Sequence, residues 1–336
     1  MSRANALTWM GVVLCLASCT AISKKTPLCY VKPAHQFHSA QSQQAAQVFW
    51  TAFQTADYAS SDQALSLLTA ASAADPNDTH LIELTGLCSF WKVVEHNRAG
   101  IPSQQLHGLA QQSLAYVEEA GRRDPGNRLT PGFISSARFQ LGAMERNVPM
   151  MTEANCELQR NTEVYPQFHG FVEGWVLTAM LPPSHPAYDD AVEAYFATLD
   201  SCAGIRVPRQ FPKIGPIGLS ILAKRSEKET VCYNTNIAPH NVEGTMLGLG
   251  DALVKQGKFR QAKMAYESIP KIPAYVNWPF KDALTYRIQH MESLQRKWVA
   301  DSGCVDAVEP AMLFQSTMAC TCCHATCNPA GRYVCP

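Results

Sequence analysis

From Gln41 to about residue 300 the chain is rich in Ala, Leu, Gln and Glu, with apolar residues returning at helical spacing and few alternating runs. That periodicity predicts an all-α body. Its interruptions are as informative as its helices. "DPND" at 75–78 and "DPGN" at 124–127 each follow an Ala-rich stretch and precede another helical one. They read as stop-and-restart signals between consecutive helices. One stretch departs from the pattern. Between Cys202 and Cys232 lie three prolines and at most one short apolar helix, which marks a long insertion in the body.

The segment "LGLGDALVKQGKFRQAKMAYESI", residues 247–269, resembles the tetratricopeptide repeat (TPR) family. Leu249, Gly250, Leu253, Gly257, Phe259, Ala262, Tyr266 and Ile269 fall on that family's spacing. Small residues stand where two helices touch, and large ones fill the gap between them. Weaker echoes of the second repeat helix occur at Ala64, Leu68, Ala71 and Pro76, and at Ser113, Val117, Ala120 and Pro125. Others fall at Ala154, Leu158, Asn161 and Pro166, and in part at Ala191, Tyr195 and Thr198. The echo prolines are 49 and 41 residues apart, against about 34 in the family, so the repeats would be degenerate and carry insertions. The resemblance implies a TPR-like helical repeat array with an extended surface for a protein or peptide.

The first nineteen residues set the expected compartment. Arg3 precedes an apolar stretch from Leu7 to Ala17, too short to span a bilayer but of signal-peptide length. It closes on Leu16-Ala17-Ser18-Cys19, which resembles the lipobox of bacterial lipoproteins. The resemblance implies cleavage before Cys19 and lipidation of Cys19, with Thr20 rather than Asp after it favouring the outer membrane. Acyl chains contribute about 0.8 kcal/mol per buried methylene, so several on one cysteine anchor stably. The resulting division is a signal peptide over 1–18, a tether over 19–40, a helical body over 41–300 with its insertion at 202–232, and a Cys-rich tail over 301–336.

Export also governs the cysteines, because disulfides persist in the periplasm. Of 13 cysteines, one leaves with the signal peptide and one takes lipid, so 11 remain and at least one thiol stays out of an internal bridge. Cys202 and Cys232 are placed to staple the insertion, a bridge contributing roughly 3–4 kcal/mol in the chain-entropy model. The tail carries six more: Cys304, Cys320, Cys322, Cys323, Cys327 and Cys335. These are candidates for three disulfides, in fifteen possible pairings. However, Cys320-x-x-Cys323-His324 also matches the attachment signature for c-type haem, with His324 as iron ligand. Parity leaves both readings open. Zinc on Cys320, Cys323, Cys327 and Cys335 is disfavoured by an oxidising compartment.

Lys plus Arg equals Asp plus Glu at 28 each, and no basic stripe runs along the chain, so nucleic-acid binding has no electrostatic support. There is no Gly-rich phosphate loop, no H-E-x-x-H and no G-x-S-x-G. Trp50, Trp91, Trp175 and Trp278 read as core packing. His169 and His185 read as structural, while His240, before the capping Asn241, has no assigned role. Along the sequence no carboxylate or cysteine completes a ligand set with His35 and His38, so that pair reads as solvated tether. The expected function is a non-catalytic protein-binding or assembly module without a cofactor, its partner an envelope protein. The alternative is an electron-transfer protein carrying one covalent haem c.

Overall fold

The computed structural model describes residues 37–55, 57–96, 101–224, 231–233, 241–278 and 280–300. Among them are twelve α-helices and no strand. In chain order these are α1 Ala40–Thr55, α2 Ser61–Ala74, α3 Thr79–Val94, α4 Ser103–Arg123, α5 Thr130–Met144 and α6 Val148–Val164. Then come α7 Pro166–Met180, α8 Ala187–Ala203, α9 Pro216–Lys224, α10 Val242–Lys255, α11 Phe259–Ser268 and α12 Lys281–Ala300. Cys19, Cys304, Cys320, Cys322, Cys323, Cys327, Cys335, His35, His240 and His324 lie outside the described residues.

Local chemistry sets the boundaries. Asp78 in "DPND" caps α3, its Oδ1 accepting from the amides of His80 (3.0 Å) and Leu81 (3.2 Å). Asn147 does the same for α6 through Met150, and Asn241 for α10 through Gly244 at 2.7 Å. Pro131 and Pro166 stand in the first turns of α5 and α7, where a missing amide proton costs nothing. Gly204 ends α8 at φ +63°, and Gly257 makes the turn into α11 at φ +73°, both left-handed conformations that suit glycine.

Packing is local in sequence. Each of α1 to α8 packs on the helix that follows it, and α10, α11 and α12 continue the series. A second set of contacts joins α1 to α3, α3 to α5, α5 to α7, α7 to α10 and α10 to α12. The result is a stack of helical hairpins in which one helix of each pair touches its counterpart in the next. The residues that carry the echoes form the seams. Ala64, Leu68, Ala71, Ser113, Val117, Ala120, Ala154, Leu158, Ala191, Tyr195 and Thr198 are all buried.

Glycines admit the large partners. A Cβ on Gly86 of α3 would lie 2.7 Å from a Val117 methyl, and one on Gly174 of α7 2.8 Å from the Tyr195 ring. The tightest case is Gly250 on α10, where a Cβ would come within 2.2 Å of Tyr266 Cε1. Tyr266 is fully enclosed and its hydroxyl donates to Asp251 at 2.5 Å, so the ring has no room to retreat. Gly250→Ala should therefore lower stability by about 1–3 kcal/mol through overpacking. Gly108→Ala, on an exposed position of α4 with nothing within 4 Å, should instead gain up to about 1 kcal/mol. Chemical denaturation of the two variants makes the comparison. Equal behaviour would refute the close-packed seam.

Helix α10 is also tied by polar bonds that its sequence does not advertise. Lys255, fully buried, donates from Nζ to the Thr178 carbonyl of α7 at 2.7 Å. Tyr188 of α8 donates to the Ala252 carbonyl at 3.1 Å. Arg287 of α12 reaches Asp251 through Nε, at 3.1 Å and 3.3 Å to its two oxygens, and its guanidinium lies over Trp298 at 5.0 Å.

Candidate functional site

The described part of the insertion, residues 204–224 and 231–233, is tied back onto α8. Asp200 of α8 accepts the Val207 amide at 2.7 Å and the Arg209 guanidinium at 3.0 Å and 2.9 Å. Arg209 also pairs with Glu193 and lies over the Phe196 ring at 4.5 Å. Val207 and Ile214 are buried beneath it, and Gly218 of α9 lets Ile205 and Ile214 close in. Cys202 and Cys232 are joined by a disulfide, their Cα atoms 5.6 Å apart. Next to it, the Tyr233 hydroxyl donates to the Cys202 carbonyl at 3.0 Å.

This staple forms one wall of a cavity of about 220 Å³. Leu222 and Ala223 come from α9, Cys232 and Tyr233 from the short 3₁₀ turn, and Val242 and Glu243 from the start of α10. The fourth side is the irregular chain after α11, with Ile272, Pro273, Ala274 and Asn277. The lining is thus mostly apolar, with one carboxylate and one carboxamide. Glu243 is the acid in the first turn of α10, a favourable place on charge grounds, yet it is almost completely buried in this wall. Because the Cys232 sulfur is in a disulfide, it offers the cavity no thiolate. The same elements carry large apolar side chains outward, Ile217 on α9 and Val276 beside Asn277, each 70% exposed.

Elsewhere the candidate residues resolve into structural roles. Trp91, Trp175 and Trp278 are buried and Trp50 half-buried, as packing residues of the stack. His169 is buried, and its Nε2 donates to the Arg128 carbonyl at 2.7 Å. His185 Nδ1 accepts the Ala187 amide at 3.2 Å, in the turn before α8. Cys156 is disulfide-bonded, whereas Cys88 is a buried free thiol that burial pushes up to about 12, out of the reactive range. The tether reading needs correction at His38. Its ring lies 2.7 Å from an Asp75 oxygen, 37 residues on, because the α2–α3 turn folds back beside it.

No protein family, no curated protein and no solved structure matches this chain. The geometry above therefore carries the functional reading.

Proposed function

We propose that the chain is a lipid-anchored lipoprotein of the bacterial outer membrane, facing the periplasm. Its TPR-like helical body would hold an envelope polypeptide, without catalysing a reaction. The observation that carries the binding role is the stapled cavity, which has apolar walls, a buried carboxylate and an outward-facing apolar surround at Ile217 and Val276. Such a lining suits an apolar side chain of a partner. The order of hairpins, with small residues at the seams, supports the TPR-like reading. The lipobox ending in Cys19 supports the anchor, and the signal-peptide leader supports export.

A photo-crosslinking residue at Val276, in the lipidated protein within intact cells, tests this. One envelope polypeptide should recur in the adducts, and Ala274→Trp, which fills the cavity, should abolish it while leaving the melting temperature near wild type. Adducts that vary from preparation to preparation, or that ignore the filled cavity, would sink the proposal. The motif Cys320-x-x-Cys323-His324 favours a second reading, electron transfer through a covalent haem c. A Soret band in protein from its native membrane, with haem retained after denaturation and reduction and lost in Cys323→Ala, would establish that reading instead.

A further inference from the structure

We infer that His38, Asp75 and Asp78 form a binding site for a divalent transition metal of the zinc class. Among the described residues they are the one group of three such side chains with converging ligand atoms, all within 4.8 Å of one another. The three come from two distant parts of the chain. His38 precedes α1, while Asp75 ends α2 and Asp78 begins α3. The backbone of the turn fixes the two carboxylates relative to each other, the Asp78 amide donating to the Asp75 carbonyl at 3.1 Å. Phe37 fixes the third donor by packing on the His80 ring, 5.8 Å between centroids. The ring of His38 is exposed, Asp75 is half-buried and Asp78 is buried.

Capping and ion pairing explain part of this arrangement. The cap uses Asp78 Oδ1, and the His38–Asp75 contact is an ordinary hydrogen bond. Two carboxylates converging with an imidazole at these distances suit a cation held among them. Arg123 lies near, donating to the Pro76 carbonyl, but its charge is shared with Glu119. His80 and Glu83 stand one turn further, 3.7 Å apart. A divalent cation would neutralise the pair and replace the His38–Asp75 hydrogen bond with two coordinate bonds.

The donor set selects the metal. One imidazole nitrogen with two carboxylate oxygens suits zinc and its late first-row neighbours, leaving a coordination position for water. Calcium and magnesium prefer all-oxygen sets and gain little from the imidazole. Bound metal would clasp the segment leading into α1 onto the first interhelical turn. It would thereby order the join between tether and body.

The experiment uses the full chain, stripped with a chelator and with free thiols alkylated so that cysteine does not compete. Zinc chloride is titrated calorimetrically, and amide exchange is followed over residues 37–45 and 75–83. Zinc should bind with slower exchange in both segments. His38→Ala and Asp78→Asn should each weaken that binding by ~10-fold or more and remove the protection. Asparagine is as good an N-cap as aspartate, so Asp78→Asn keeps α3 intact. Zinc affinity unchanged in both variants would overturn the proposal. So would calcium or magnesium chloride giving the same protection as zinc.

Discussion

Arg287→Met should lower stability by about 3–5 kcal/mol, a fall in melting temperature of roughly 10 °C for a body of this size. Asp251 is fully buried, and the Arg287 guanidinium binds it from α12 while the Tyr266 hydroxyl binds it from α11. Burial, with Asp251 next, holds the Tyr266 phenol well above its ordinary range, so it stays a neutral donor at any working pH. Methionine fills much of the arginine's volume yet withdraws the guanidinium from the buried carboxylate. The cost is the desolvation of a charge whose compensation has been withdrawn. Adding Asp251→Leu to Arg287→Met removes both charges and should recover most of the loss. Denaturation of the two single variants and the double variant closes the cycle. A single variant that loses less than ~1 kcal/mol would mean Asp251 is neutralised by other means.

That pair marks the limit of what the chain discloses when read in order. The all-α class was legible because helical periodicity is local, and so were the seams. In residues 247–269, Leu249, Leu253, Ala262, Tyr266 and Ile269 are recognisable by spacing, and each is buried. Asp251 and Lys255 lie within the same segment and gave no signal. Their meaning depends on Arg287 and on the Thr178 carbonyl, 36 and 77 residues away. Similarly, His38 gave no ligand signal beside its neighbours, because its carboxylates arrive only when α2 and α3 fold back. The cavity was the least legible feature. Its four walls come from segments between residues 222 and 277 that meet only in space. The insertion and its staple at Cys202 and Cys232 could be foreseen, since prolines and cysteines announce a break and a possible bridge.

The second large effect concerns pH, and the wild-type protein should conceal it. His169 and Glu173 lie one turn apart on α7 and both are buried. Burial takes His169 from 6.5 down to about 4, opposed by its bond to the Arg128 carbonyl. Its Nδ1 has no hydrogen-bond partner and faces Gly132, so a second proton would enter a site without an acceptor. Burial takes Glu173 from 4.5 up to about 7, opposed by the Thr162 hydroxyl and reinforced by Asp190 and Glu163. Between pH 4 and 6.5 the unfolded chain binds the His169 proton and the folded one does not, so this histidine makes stability rise with pH. Between pH 4.5 and 7 the folded chain keeps the Glu173 proton and the unfolded one loses it, so this carboxyl makes stability fall. The two slopes oppose each other over pH 4.5–6.5 and nearly cancel. Substitution separates them. Glu173→Gln should match wild type near pH 4.5 and exceed it above pH 7 by on the order of 3 kcal/mol. His169→Gln should keep the donor to Arg128 and gain most below pH 4, with little difference from wild type above pH 6.5. Melting temperatures of the three proteins across pH 4–8 test both together. A Glu173→Gln advantage that does not grow with pH would show that the carboxyl is ionised in the folded state, with a partner that burial alone does not supply.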